Sequence, residues 1–275
     1  MQYKYKKERK PLFPKKQKEI KIKEPKFADE KKKIKKTVAS SVSLFLAVAI
    51  VCGSILYFNS YTRPSSYPEG IPESITVETG KDGSLIFVPD NPMAVLIFYP
   101  ENRIDFKAYE NLMIYCAQYR ILSVLVKIPL HQSAFGKNSA DTYVEKYADY
   151  DNIFVGGHGK GGAAAAEYAL ENADKLNGVV LLGSYSEEDI SDSGLSVISV
   201  YGSEDKILNI GKYEKYKTNL PDYMTEHVIA GGNHSLFGSY GTQKGDGEAL
   251  IGYKDQLSET AAILFSHVLK NFRYK

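Results

Sequence analysis

Hydrophobic positions along this chain follow two different patterns. The first is one unbroken stretch: residues 37–58, TVASSVSLFLAVAIVCGSILYF, 22 residues without a charge. At about 1.5 Å of rise per residue, a helix of this length spans roughly 33 Å, one hydrocarbon core. It has no polar face, as a buried soluble helix would have. Lys31, Lys32, Lys33, Lys35 and Lys36 crowd its N-terminal side, and only Arg63 lies close beyond it. That asymmetry predicts a single-pass cell-membrane anchor with a cytoplasmic N-terminus and an extracytoplasmic C-terminal domain. A cleaved signal peptide fits poorly, because the basic region is too long and no small-x-small site follows. Val51 before Cys52 argues against a lipidated cysteine, so Cys52 reads as a small side chain inside the membrane. Residues 59–73, rich in Pro and Ser, read as a linker.

From residue 74 the pattern changes to short β-rich runs alternating with helical periodicity. Runs 74–79 and 84–88 predict a hairpin around Lys81-Asp82-Gly83. Run 94–99 (AVLIFY) is continuously apolar, as for a strand buried on both faces. Further strands are expected at 122–127, 152–155, 178–182, 196–201 and 223–229. Helices are expected at 106–119, 138–148, 161–172, 209–219 and 254–271. The alternation implies an α/β domain over 74–275, a mostly parallel sheet flanked by helices. In such folds the chemistry sits at the carboxyl ends of the strands. Cys116 and the alanines at 163–166 read as helix residues facing the core.

Charge sharpens the division. The formal net charge is only +2, but residues 1–36 carry 16 Lys/Arg against 5 Asp/Glu, and the rest is net acidic. The arm reads as a solvated cytoplasmic tail that sets topology. Adsorption to anionic headgroups is the alternative, allowed by Tyr3, Tyr5, Leu12, Phe13 and Phe27 among the lysines. An acidic body is a poor partner for nucleic acid. Two cysteines exclude a disulfide framework and a cysteine-built zinc site. The 12% aromatic content argues against disorder beyond the arm.

Candidate chemistry centres on Gly156-Gly157-His158-Gly159-Lys160-Gly161-Gly162, between an expected strand and helix. A P-loop fails, because Lys160 is followed by glycine rather than Ser or Thr. Gly157, Gly159 and Gly162 match a dinucleotide fingerprint literally. That reading wants an acid at the end of the next strand, which instead ends Leu181-Leu182-Gly183-Ser184. A nucleophile elbow, G-x-S-x-G, puts Gly159 where the serine belongs and demands a later acid and then a histidine at strand ends. Asp205 and His234 meet that demand in the required order.

Three segments, GGHGKGG (156–162), YGSEDK (201–206) and GGNHSLFGSYGTQKGDGEA (231–249), resemble the α/β-hydrolase superfamily, in particular a small cap-less bacterial subgroup with a glycine-rich histidine loop. The resemblance covers roughly residues 74–275. It implies that His234 is the general base, Asp205 the acid orienting it, the Lys160 N–H one oxyanion donor, and the Pro100-Glu101-Asn102 loop the source of the other, at Glu101. Two departures stand out: Gly159 has no hydroxyl, and Glu101 brings a carboxylate to the oxyanion loop. The chain therefore reads as a membrane-anchored pseudo-hydrolase of carboxylesterase descent, holding a small acyl or ester ligand. The alternatives are an active hydrolase of esters, using another serine (Ser133, Ser184 or Ser235), a Lys160 nucleophile, or a water in the room left by Gly159, and a nucleotide-binding module. His158 is expected to pack beneath the elbow, with His227 and His267 structural. Gly245-Asp246-Gly247 reads as a turn rather than a calcium loop. No metal or cofactor site is expected, and the sequence gives no oligomeric state.

Overall fold

The computed structural model describes residues 26–272. The chain divides into two compact units, residues 1–54 and 55–275. The first holds most of helix α1 (Lys26–Asn59). Within it, Asp29–Tyr57 is long and apolar enough to cross a membrane by length and composition, and none of its apolar window is buried. The helix starts earlier than the uncharged run because lysine is itself a good helix former. The basic arm before residue 26, with Tyr3, Tyr5, Leu12 and Phe13, lies outside the described residues.

The second unit is built on β1 (Ile75–Thr79), β2 (Leu85–Pro89), β3 (Ala94–Tyr99), β4 (Ile121–Leu125), β5 (Ile153–His158), β6 (Gly178–Leu182), β7 (Ser196–Gly202) and β8 (Thr225–Ile229). They form one sheet in the order β1-β2-β4-β3-β5-β6-β7-β8. β2 runs antiparallel to both neighbours, and every later pairing is parallel. Helices α2 (Glu110–Gln118), α3 (Asp141–Lys146), α4 (Lys160–Glu171), α5 (Ile210–Tyr216) and α6 (Tyr253–Lys270) complete it.

The sheet separates two apolar cores, and the strand alternation decides which residue joins which. Along β3, Leu96 and Phe98 face one core with Leu112, Met113 and Cys116 of α2 and Leu257, Ala261 and Leu264 of α6. Val95, Ile97 and Tyr99 face the other, with Tyr143 of α3 and Ala164–Ala166 and Tyr168 of α4. Every residue of β3 is buried, which is why its sequence is apolar without interruption. Cys116 is fully buried, and burial pushes its thiol up to about 12.

Differences from the expected elements are local. The 106–119 helix divides into a 3₁₀ turn at Phe106–Tyr109, capped by the Asp105 carboxylate, and then α2. β5 runs through the glycines to His158, because Gly156 pairs with Phe98 on one side and Val180 on the other. β8 begins only at Thr225, since residues 221–224 close a turn with Met224 N–H bonded to the Pro221 carbonyl. Residues 60–66 are tied to the body: Thr62 N–H bonds to Arg103 O, Asp105 N–H to Thr62 O, and Ser65 N–H to Ser239 O.

Candidate active site

The carboxyl ends of β3, β5, β7 and β8 converge on one point. After β5 the chain bends at Gly159, with φ +51° and ψ −117°, and enters α4 directly at Lys160. A left-handed φ with this ψ suits glycine. Two hydrogen bonds hold the bend: Gly159 N–H donates to Leu182 O at 3.0 Å, and Ser184 Oγ donates to Gly159 O at 2.6 Å.

Asp205 follows β7, and its Oδ1 accepts the backbone N–H groups of Ile207 and Leu208 at 2.9 and 2.8 Å. Its Oδ2 lies 2.8 Å from His234 Nδ1. His234 follows β8 and is 1% exposed. Gln256 of α6 clamps the His234 loop, accepting the Asn233 N–H at 3.0 Å and donating to the Asn233 carbonyl at 2.8 Å. Asp246 accepts both the N–H and the hydroxyl of Ser235, at 2.8 and 2.6 Å. Gly183, with φ +49°, keeps this space clear, since a Cβ there would stand 2.8 Å from His234 Nδ1 and 3.1 Å from Asp205 Oδ2.

The opposite side is filled by Glu101. A Cβ built on Gly159 would lie 1.4 Å from Glu101 Oε2, so a carboxylate oxygen occupies the space of a side chain at the bend. Lys160 N–H donates to that oxygen at 2.9 Å, and Asn102 N–H donates to Glu101 Oε1 at 2.6 Å. The room expected for a water over Gly159 is therefore taken, because these two amides draw the carboxylate into it. The Lys160 N–H expected to serve an oxyanion is bonded to Glu101 instead. The Glu101 N–H faces the Tyr109 hydroxyl at 3.4 Å.

Electrostatics follow from this filling. His234 has the Glu101 carboxylate 3.9 Å from its Nε2 in addition to Asp205 on Nδ1. Burial alone would lower its pKa; the hydrogen bond to Asp205 and the neighbouring Glu101 outweigh burial and raise it to about 9. His158 lies beside it, ring centroids 4.2 Å apart, and is fully buried. Burial and the His234 charge push its pKa well below the ordinary histidine range. His158 Nδ1 sits 2.8 Å from the Tyr109 hydroxyl.

The structure thus brings Gly159, Lys160, Glu101, Asp205 and His234 together. The candidate serines are engaged otherwise: Ser184 Oγ bonds to Gly159 O and Ser235 Oγ to Asp246, while Ser133 and Ser184 both line the cleft, Ser133 with its N–H on Asn102 Oδ1. His227 is exposed on β8, and His267 is buried on α6, where burial lowers it to about 4. Among the described residues, Glu101, His158 and His234 present potential ligand atoms within 4.8 Å of one another, a grouping the sequence did not single out. Their separation along the chain hid it. Sequence reasoning also missed Gln256, Asp246 and Tyr109. Only the Gly-Asp-Gly at 245–247 carried a signal, and it read as a turn.

A cleft of about 480 Å³ opens over this centre, lined by Glu101, Gly159, Lys160, Tyr185, His234 and Gln243 among others.

A parallel sheet of this order, with a glycine-rich bend after β5 and an Asp–His pair after β7 and β8, defines an α/β-hydrolase-type domain. Residues 95–258 match the model of the Alpha/beta hydrolase family, and the chain belongs to that family. Three solved structures share the fold at low identity. TT1662 from Thermus thermophilus is 13% identical, with a TM-score of 0.54, over 73% of this chain and 99% of its own. A dienelactone hydrolase from Anabaena variabilis is 13% identical, TM-score 0.53, over 73% and 100%. A soluble variant of the monoglyceride lipase from Saccharomyces cerevisiae is 14% identical, TM-score 0.54, over 77% and 100%. No protein of curated function matches the chain in sequence.

Proposed function

We propose that this is a single-pass membrane protein whose extracytoplasmic domain descends from serine acyl-hydrolases and now binds a ligand rather than turning over esters. Gly159 stands at the nucleophile position, and the glycine-rich histidine loop resembles that of a small cap-less bacterial subgroup of the family. The observation that carries the reading is the Glu101 carboxylate, which fills the serine's space and takes the Lys160 amide. A carboxylate there resembles the acid product of ester hydrolysis, seated where an oxyanion would form.

Three consequences support this reading. There is no hydroxyl at the bend to attack a carbonyl. The donor needed for charge development is already satisfied. His234, raised to about 9, is protonated at neutral pH and holds no lone pair on Nε2 for a general base. The same carboxylate blocks the N-terminus of α4, where a nucleotide diphosphate would sit. The open cleft remains suited to a small acyl or ester ligand. The apolar helix near the N-terminus, with lysines on its N-terminal flank, supports membrane anchoring with that flank in the cytoplasm.

The test is turnover of short-chain p-nitrophenyl esters by the full chain in detergent micelles. Wild type is expected to be inactive. Gly159→Ser alone should stay well below the double variant, since its Cβ must push the Glu101 carboxylate aside and leaves that negative charge beside the developing oxyanion. Gly159→Ser with Glu101→Gly should gain activity of about 10²-fold or more over wild type, the usual worth of an oxyanion donor. Wild-type turnover at the rate of a working esterase would overturn the reading.

A further inference from the structure

Two buried imidazole nitrogens lack partners at the same place. His158 Nε2 and His234 Nε2 are both enclosed by protein and make no hydrogen bond. Leaving such an atom unsatisfied costs about 1–3 kcal/mol. Here two of them lie with a Glu101 oxygen in one group whose ligand atoms are all within 4.8 Å. The three residues come from three rigid strand ends: Glu101 after β3, His158 closing β5, and His234 after β8.

We infer that Glu101, His158 and His234 form a binding site for one divalent transition-metal ion of the zinc or cobalt class. Two imidazoles and one carboxylate are a ligand set that such ions take while keeping positions open. Glu101 and His234 also line the cleft, so an ion held there would be reachable by a ligand.

The surroundings of both rings fit a metal-ligating histidine. Such a histidine donates its other N–H to a carboxylate or another oxygen, which fixes the ring. His234 Nδ1 has Asp205 Oδ2 at 2.8 Å, and Asp205 is itself pinned by two amides. His158 Nδ1 has the Tyr109 hydroxyl at 2.8 Å. With one proton on Nδ1 of each ring, and the His234 Nε2 proton given up on binding, both Nε2 lone pairs face the ion. The rings are 4.2 Å apart and tilted by 40°, as neighbouring ligands on one ion allow. Ligand atoms on a zinc ion at ~2.0–2.1 Å stand about 3.4 Å apart, so a group spread over as much as 4.8 Å must close by up to about 1.4 Å. Glu101 is the member able to move, because its carboxylate is at the end of a flexible side chain, 12% exposed.

Charge also balances. Without an ion, the His234 proton is the positive charge between Asp205 and Glu101. A divalent cation takes that place, and the ligand proton leaves as it binds.

The experiment is cobalt(II) titration of the full chain in detergent, purified without a histidine tag, followed by visible ligand-field absorption and proton release at pH 7.5. The expected result is one equivalent bound, with protons released on binding. Glu101→Gln and His158→Gln should each weaken binding at least tenfold, and Asp205→Asn should weaken it about 10–100-fold through the lost orientation of His234. His227→Ala, on the exposed face of β8, should leave binding unchanged. If His158→Gln fails to fold, Glu101→Gln carries the test, since its amide fits the same space. No saturable binding, as when a water satisfies both nitrogens, overturns the inference. So does binding that Glu101→Gln leaves intact. Ester turnover plays no part in this readout, so either reading can fall without the other.

Discussion

The two sides of the site are held by different means. On the acid–base side, Asp205, His234, Asn233, Gln256, Ser235 and Asp246 form a network in which nearly every polar atom has a protein partner at 2.6–3.0 Å. On the nucleophile side there is a bare backbone bend, and a single movable side chain fills it. The contrast separates what positions a histidine from what makes it reactive. The same Asp–His geometry that would serve a serine stands here beside a second carboxylate, and Asp205 and then Glu101 together raise the His234 pKa against the effect of burial. Geometry on one side of a site therefore says little about chemistry until the other side is known.

Several measurements would break or sharpen this contrast. The largest expected effect is on the rigid side. Gln256→Leu keeps the volume but strands the buried Asn233 N–H and C=O, at a cost of about 2–4 kcal/mol in unfolding free energy by denaturant titration. A cost below about 1 kcal/mol would show that the network is not what holds the histidine loop.

Next comes His234 itself. Its folded pKa, about 9, lies above the ordinary 6.5, so its contribution is complete below pH 6.5 and is lost as pH rises through 9. Stability should fall across that window by on the order of 2–3 kcal/mol. Removing the second carboxylate in Glu101→Gln should lower the His234 midpoint seen by NMR titration; an unmoved midpoint would mean that Asp205 alone sets it. The buried His158 and His267 act in the opposite sense. Both are lowered in the fold, so they withdraw stability as pH drops below 6.5.

The smallest effect is expected where residues 60–66 meet the body. Ser65→Ala removes the side-chain bond from Ser65 Oγ to Ser239 O at 3.1 Å but keeps the backbone bond beside it. The loss should be about 0.5 kcal/mol in thermal unfolding of the full chain. A larger loss would show that this segment supports the histidine loop as strongly as Gln256 does.

Much of the fold was legible because burial is written in periodicity. AVLIFY announced a central strand, and alternation placed its residues on two faces. The Gly159–Asp205–His234 order pointed to three strand ends that the sheet brings together. The strand order itself was not legible, since it depends on which edges meet. The position of the Glu101 carboxylate was not legible either. It is set by an amide 59 residues away, and only the folded bend aims that amide at it. His158 was expected beneath the bend, but a sequence cannot show that its ring lies against His234. Gln256 sat inside a helical pattern as one polar residue among several, with no local sign of its clamp.

The stretch from Thr62 to Ser66 has a mechanical consequence. Its bonds reach Arg103 and Asp105, just beyond Glu101, and Ser239, five residues beyond His234. A tug on the chain at residue 60 enters the domain through the two loops that frame the cleft, before any load reaches a strand. Trimming the protein at residue 74 would cut both moorings, so a cleaner cut leaves residue 60 in place.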